Sequence, residues 1–157
     1  MKITDNFLDN DYFNKINNHI LSNNFPWYFL DFKVFKNDGN FQYIHLLYED
    51  NKINSDDFYI FEPFLKMLNI NSLVKMKLNM TPRDNILKPY DFHNDVNFDC
   101  NTSIFYFNTN DGKTIFDDGE EVKSVKNRLV NFSSKIKHTG TTTTDKPYRM
   151  VLNINYF

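Results

Sequence analysis

Residues 148–156, YRMVLNINY, alternate between two kinds of side chain along the chain. Side chains of a β-strand point to opposite faces in turn, so this stretch predicts a strand with one apolar and one mainly polar face. Residues 72–80, SLVKMKLNM, alternate in the same way. The apolar faces are Met150, Leu152 and Ile154 in one stretch and Val74, Met76 and Leu78 in the other; the opposite faces carry Arg149, Val151, Asn153 and Asn155, and Lys75, Lys77 and Asn79.

Further short strands are predicted between these two stretches, and helices are predicted ahead of them. The strand candidates are residues 102–109, 112–116, 120–125, 128–132 and 135–139, with polar turns between them. Apolar spacing of three and four residues predicts helices over 9–22 and 55–70, the second beginning or kinking near Pro63. Residues 27–35 and 41–49 read as strands, and NDGN at 37–40 as the hairpin turn between them.

This order of elements predicts a mainly β fold with N-terminal helices packed on one sheet of a β-sandwich or jelly roll. A chain of 157 residues suits one domain with one core. We therefore treat residues 1–157 as a single domain.

The composition narrows the functional classes. Hydrophobic residues make up 41% of the chain and aromatic residues 17%, which is too apolar for a disordered chain. We find no apolar run of about 18 residues and no signal-peptide core at the N-terminus. The net charge of −2 does not favour nucleic-acid binding, and the lone Cys100 fits a reducing compartment. We expect a cytoplasmic protein, in a bacterial host or a phage-infected cell.

Three residues form a candidate metal site. His93 and Asp95 are two positions apart, so on an extended segment both side chains point the same way. His138 is the only later histidine. Two imidazoles and one carboxylate on one side of a metal ion leave the other positions open, which is the ligand set of non-haem Fe(II) oxygenases. Arg149 follows eleven residues after His138, and a guanidinium binds a carboxylate through two parallel hydrogen bonds.

These motifs resemble the Fe(II)- and 2-oxoglutarate-dependent dioxygenases of the prolyl-hydroxylase-like superfamily, especially small phage and marine microbial members. The resemblance rests on HND at 93–95, TSIFYFNTNDGKTIFDDGEEV at 102–122, RLVNFSSKIKHTG at 128–140 and YRMVLNINY. It implies a cupin-like double-stranded β-helix core over residues 73–157, supported by helices and strands of residues 1–72. It also implies iron ligands His93, Asp95 and His138, and co-substrate contacts from Arg149, Tyr106 and Asn79. Where the family often has a tyrosine two places after the asparagine, this chain has Thr81.

The implied reaction couples oxidative decarboxylation of 2-oxoglutarate to succinate and CO₂ with hydroxylation of a substrate C–H bond. Its cofactors and co-substrates are Fe(II), 2-oxoglutarate and O₂, with ascorbate as a candidate reductant. The substrate is a peptide, with peptidyl-proline favoured by resemblance, or a small molecule. No sequence feature indicates a nucleic-acid partner, a membrane partner or an oligomeric state.

Two other functions remain open. The chain could be a metal- or ligand-binding sandwich without catalysis, but such a module has no use for Arg149. It could be a zinc hydrolase using the same three ligands, but no His-Glu-x-x-His motif supplies a general base. We expect His19 and His45 to be structural, because neither has a metal-type partner nearby in the sequence.

Overall fold

Eleven antiparallel β-strands form two sheets in a computed structural model that describes residues 1–157. The larger sheet has the order β1-β9-β6-β11-β5-β3-β2, with β4 paired to β3, and the smaller has the order β10-β7-β8. The strands are β1 (Lys2–Thr4), β2 (Tyr28–Leu30), β3 (Gln42–Glu49), β4 (Lys52–Ile53), β5 (Leu73–Pro82), β6 (Asn101–Tyr106), β7 (Lys113–Phe116), β8 (Glu121–Lys123), β9 (Arg128–Ser133), β10 (His138–Gly140) and β11 (Tyr148–Tyr156).

Strand β11 lies between β6 and β5 in the larger sheet, and its alternation sorts the two faces of that sheet. Met150, Leu152 and Ile154 are buried in the larger hydrophobic core. Val151, on the opposite face, belongs to a smaller core of seven buried residues between the sheets. Burying a side chain of this size stabilises the fold by about 1.5–3 kcal/mol, so a register slip that exchanged the faces would be strongly disfavoured.

The helices cover the outer face of the larger sheet. Helix α1 (Asn10–Ile20) begins where the Asp9 carboxylate accepts a hydrogen bond from the Tyr12 amide at 2.9 Å. It buries Phe13, Ile16 and Ile20, the residues spaced at three and four. A 3₁₀-helix (Asp56–Phe61) leads into α2 (Glu62–Met67), whose first turn holds Pro63, where no backbone donor is needed.

Two facing antiparallel sheets with helices on one outer face confirm the predicted fold class, a mainly β jelly-roll sandwich with N-terminal helices. None of the helices is both long enough and apolar enough to cross a membrane.

Two local predictions were wrong. The strand predicted over residues 27–35 ends at Leu30, and residues 31–41 form a long loop before β3. The loop forms because the Asp38 carboxylate accepts hydrogen bonds from the amides of Lys33, Val34 and Asn40, which closes the backbone on itself. The strand predicted over residues 135–139 begins only at His138, because residues 134–136 form a turn and bend.

Candidate metal centre

His93 and His138 are brought side by side by a pair of backbone hydrogen bonds. The His93 amide donates to the His138 carbonyl and the His138 amide to the His93 carbonyl, both at 3.0 Å. Residues paired directly across an antiparallel bridge project their side chains to the same face. The two imidazole rings are accordingly 5.0 Å apart between centroids. Phe132 packs edge-on against the His138 ring at 4.9 Å and limits its rotation.

Asp95 completes the group. Its carboxylate oxygens lie 3.8 Å from His93 Nε2 and 3.6 Å from His138 Nε2, and the three donor atoms are all within 4.8 Å of one another. Atoms bound to one metal ion at about 2.1 Å are separated by at most about 4.2 Å. A small adjustment of the side chains would therefore let all three residues bind one ion.

The charge states of these ligands suit a cation. Burial opposes ionisation of Asp95, but His138, His93 and the Asn153 amide together hold the pKa of its carboxyl below the ordinary value of 3.8. Burial lowers the pKa of His138 below 6.5, against the opposing effect of Asp95. At neutral pH the site therefore presents a carboxylate and a neutral imidazole, the forms that bind metal.

Asn153 on β11 orients the carboxylate. Its side-chain amide donates to both oxygens of Asp95 at 3.1 Å. Hydrogen bonds from outside the ligand set are a common way of fixing the orientation of a metal ligand. Asn153 was not among the predicted site residues. The alternation of β11 places it on the same face as Arg149, so the strand pattern contained a signal that could have identified it.

Arg149 is buried four residues before Asn153 on the same face of β11. Its Nε donates to Ser124 Oγ at 2.9 Å and its Nη2 to Thr114 Oγ1 at 3.0 Å. No acidic side chain forms an ion pair with it. Burial lowers the pKa of the guanidinium from its ordinary value. An unpaired buried cation is energetically unfavourable, and a bound anion would relieve that penalty.

Two glycines make room for Arg149. A Cβ atom on Gly112 would approach Arg149 Cδ to 2.7 Å and the Thr142 carbonyl oxygen to 2.8 Å. A Cβ on Gly140 would come within 3.1 Å of Arg149 Nη1. Larger residues at these positions would displace the guanidinium or the backbone beside it.

The other two predicted co-substrate residues have different surroundings. Asn79 on β5 lines the cavity, and its side chain donates to the Lys77 carbonyl at 3.3 Å. Tyr106 is fully buried and does not line the cavity. Its hydroxyl donates to Thr114 Oγ1 at 2.7 Å, and its ring centroid lies 5.6 Å from the Arg149 guanidinium carbon. Tyr106 therefore supports Thr114 and Arg149 from behind, and its contact with a co-substrate remains a prediction.

One cavity of about 90 Å³ joins the three candidate ligands to Arg149. Asp95 is the only acidic residue in its lining, which also contains the cations Lys33, Lys77 and Arg149. Tyr90 lines it as well, and burial raises the pKa of this phenol to about 12, so its hydroxyl stays protonated at neutral pH. The cavity can thus hold a metal ion at one end and an anion at the other. Lys33 and Tyr90 were not predicted as site residues. Lys33 falls in the run 27–35 that the sequence predicted as a strand, and Tyr90 is on a loop without a periodic pattern.

The two remaining histidines lie outside this cavity. His19 and His45 converge on Asp57, with Nε2–oxygen distances of 2.6 and 3.5 Å. His45 also packs against Phe25 in the helix-side core, at 4.4 Å between ring centroids. Both contacts agree with the structural role expected of them.

Comparison with known proteins gives no match to a protein-family model or to a curated protein. Solved structures do match. An oxidoreductase of the 2OG-Fe(II) oxygenase family from Burkholderia pseudomallei has a TM-score of 0.74 at 12% identity, covering 98% of this chain and 82% of its own. A Pseudomonas putida prolyl-4-hydroxylase has a TM-score of 0.67 at 12% identity, covering 99% and 90%.

A Trichoplax adhaerens prolyl hydroxylase, in complex with a hypoxia inducible factor peptide fragment, has a TM-score of 0.62 at 14% identity, covering 99% of this chain and 82% of its own. At these identities the likeness is one of fold. The resemblance is confirmed at that level: this chain has the jelly-roll fold of 2-oxoglutarate–Fe(II) oxygenases and prolyl hydroxylases.

Proposed function

We propose that this protein is an Fe(II)- and 2-oxoglutarate-dependent dioxygenase that hydroxylates a substrate C–H bond. The observation that carries the proposal is the buried Arg149 without an acidic partner, in the same cavity as the His93, Asp95 and His138 donor atoms. A dicarboxylic acid that binds a metal through one end requires such a cation for its other end.

The proposed roles follow from the chemistry of the donor set. His93, Asp95 and His138 would hold Fe(II) from one side, leaving its other positions open to ligands. Arg149 would bind the distal carboxylate of 2-oxoglutarate through the guanidinium hydrogen atoms that Ser124 and Thr114 do not use. Arg149 and Asn153 are four residues apart on β11, or about 13 Å at strand spacing. The cavity that both residues line would receive the metal ion and the dicarboxylate.

When bound, Fe(II), 2-oxoglutarate and O₂ supply the oxidising chemistry, which yields succinate and CO₂ alongside the hydroxylated product. The protein orients the metal ligands and lines part of the cavity with apolar side chains. Asn153 holds the Asp95 carboxylate, while Ile104 and Val151 line the cavity with apolar surface. We include ascorbate as the reductant that returns oxidised iron to Fe(II), and we place the protein in the cytoplasm, where Fe(II) and Cys100 stay reduced.

For the substrate we propose a peptide, with peptidyl-proline as the first candidate, or a small molecule presented in the same way. A groove of about 720 Å³ adjoins the cavity and shares His93 and Asp95 with it. Phe35, Phe92 and Phe98 line this groove and are 57%, 43% and 44% exposed. Exposed aromatic rings beside a reactive centre suit the packing of a peptide side chain. The complex of the Trichoplax prolyl hydroxylase with a peptide supports the same choice.

The cavity lining argues against a zinc hydrolase. Such an enzyme needs a general base near the metal-bound water, and apart from Asp95 no carboxylate lines this cavity. A binding module without catalysis would have no function for the buried Arg149, whose charge is unfavourable for folding.

The test is succinate formation from 2-oxoglutarate by purified protein supplied with Fe(II), ascorbate and O₂. We expect slow turnover without substrate, faster turnover with a proline-containing peptide that is accepted, and loss of turnover in His93→Ala. The matched control is His19→Ala, a histidine outside the cavity, which should turn over as the wild type does.

Zn(II) should inhibit by competing for the same ligands. Ester or peptide hydrolysis dependent on Zn(II), with no succinate under any condition, would instead support the hydrolase. Failure of the wild-type protein to bind 2-oxoglutarate in the presence of Mn(II) would overturn the proposal.

A further inference from the structure

The loop between β2 and β3 carries one lysine, Lys33, into the cavity. Three backbone amides, of Lys33, Val34 and Asn40, donate to the Asp38 carboxylate at 2.8–2.9 Å. The Gln42 side chain donates to the Lys33 carbonyl at 3.2 Å from the other side. Because these contacts hold the backbone on both sides of Lys33, its side chain starts from a fixed point at the cavity rim.

The Lys33 ammonium has only one hydrogen-bond partner. It donates to Thr81 Oγ1 and lies 5.0 Å from the centroid of the Tyr90 ring. No carboxylate is within ion-pair distance of it, and the nearby Asp38 is occupied by backbone amides. An ammonium group has three donors. Two of them remain for a ligand.

Lys33 contacts the end of the cavity where Arg149 lies. Thr81, its partner, is paired directly with Arg149 in the ladder between β5 and β11. Asn153, which holds Asp95, is paired with Lys77 four residues further along the same ladder. Lys33 thus reaches this end of the cavity from the β2–β3 loop, and Arg149 reaches the same end from the larger sheet.

The charges in the cavity also favour an anion bound near Lys33 and Arg149. The lining has one carboxylate, that of Asp95, and three cationic side chains, those of Lys33, Lys77 and Arg149. A bound metal ion would neutralise the carboxylate charge. Burial, reinforced by the repulsion from Arg149, lowers the pKa of Lys33 well below its ordinary value. A bound anion beside both groups would remove that repulsion.

We propose that Lys33 is a second binding residue for the distal carboxylate of 2-oxoglutarate, closing on it from the β2–β3 loop opposite Arg149. This inference rests on the proposed function and adds a co-substrate residue to it. The two cations would share one carboxylate, with Arg149 donating through its planar fork and Lys33 as a point charge. Lys33 would also cover the co-substrate on the side that faces solvent.

The test measures 2-oxo acid binding to the Mn(II)-loaded full chain without O₂, by isothermal titration calorimetry. The ligands are 2-oxoglutarate and 2-oxopentanoate, which has the same five carbons but no distal carboxylate. The variants are Lys33→Met, whose side chain is uncharged and one atom shorter, and Lys33→Arg, which keeps the charge. The matched control is Lys36→Met, an exposed lysine of the same loop with no ion pair.

We expect Lys33→Met to weaken 2-oxoglutarate binding roughly 10- to 100-fold, the effect of losing a charged hydrogen-bond partner. Its binding of 2-oxopentanoate should equal that of the wild type, which also shows that the variant is folded. Lys33→Arg should stay within a few fold of the wild type, and Lys36→Met should be unchanged.

Equal 2-oxoglutarate affinity in Lys33→Met and wild type would overturn the inference while leaving the proposed function intact. Equal losses for both 2-oxo acids, or in Lys33→Arg as well as Lys33→Met, would also overturn it, because the effect would not depend on charge meeting the distal carboxylate. Absence of 2-oxoglutarate binding by the wild type would overturn the proposed function itself.

Discussion

Replacing Arg149 with methionine should stabilise the ligand-free protein and at the same time abolish its stabilisation by 2-oxoglutarate. Both effects have one cause, because the guanidinium is buried without an acidic partner and the carboxylate that we propose for it is absent from the ligand-free protein. A residue that served the fold alone would show the opposite sign in the ligand-free state.

The magnitude follows from the contacts of Arg149. Burying one unpaired ion is unfavourable by several kcal/mol even after relaxation, and we take about 5 kcal/mol. Its hydrogen bonds to Ser124 and Thr114 offset about 1.5 kcal/mol each. The contact with the Tyr106 ring offsets about 0.5 kcal/mol more. Methionine fills similar space without charge, so we expect a net gain of about 1–2 kcal/mol, or about 3–6 °C in Tm for a domain of this size.

The ligand response should change in the opposite direction. In the wild type with Mn(II), 2-oxoglutarate at 100 times its Kd should add about 2.7 kcal/mol to the free energy of unfolding. Losing the charged partner should weaken binding by about 2–5 kcal/mol, which removes about two thirds or more of that stabilisation at the same ligand concentration.

Differential scanning calorimetry with Mn(II), with and without 2-oxoglutarate, measures both effects. The control is Arg128→Met, which removes an arginine whose Nε lies 2.6 Å from the Asp5 carboxylate and should leave the ligand response unchanged. A ligand-free Arg149→Met protein that melted several degrees below the wild type would refute the reasoning on unpaired charge. Retention of the full 2-oxoglutarate response would refute the assignment of Arg149 to the co-substrate.

Three further predictions concern the surroundings of the cavity. Asn153→Ala should weaken Mn(II) binding about 10- to 100-fold, measured by calorimetric titration, because the Asp95 carboxylate loses the amide that orients it; unchanged affinity would show that Asp95 needs no such support. Gly112→Ala should lower the free energy of unfolding in urea by about 1–3 kcal/mol, since the new Cβ would stand 2.8 Å from a backbone oxygen; a neutral effect would mean that this backbone shifts freely. Burial raises the pKa of Asp38, but the amides of Val34, Asn40 and Lys33, with a longer contact from that of Phe35 at 3.4 Å, outweigh it and hold that pKa at about 2. The ionised Asp38 carboxylate therefore adds its full contribution to the free energy of unfolding above about pH 4, and this contribution is lost as the pH falls towards 2. Asp38→Asn should destabilise the protein by about 1 kcal/mol at pH 7, after allowance for solvent screening, and the difference from the wild type should shrink at pH 3 in urea titrations; a constant difference would contradict the assignment.

Local pattern predicted most of the two faces of the central strands. Strand side chains alternate with a period of two, and the core positions Met76, Leu78, Met150, Leu152 and Ile154 follow it. Val74 does not, because a register irregularity pairs Leu73 with Tyr156, and Leu73 packs against the core in its place. The spacing of His93 and Asp95 and the helix over residues 9–22 are local features of the same kind. The adjacency of His93 and His138 is not local, since it depends on a bridge between residues 45 apart. It could be predicted only through the ligand set and the family resemblance.

Tertiary structure alone decided what else lines the cavity. The strand predicted over residues 27–35 ends early. The amides of Lys33 and Val34 donate hydrogen bonds to the Asp38 carboxylate and not to a neighbouring strand. That folded loop, and not any pattern in the sequence, delivers Lys33 to Thr81 beside Arg149. Alternation within a strand is determined by bonded geometry and can be read from the order of residues. The meeting of a loop side chain with a strand 48 residues away depends on how the whole chain packs, and only the folded structure contains that information.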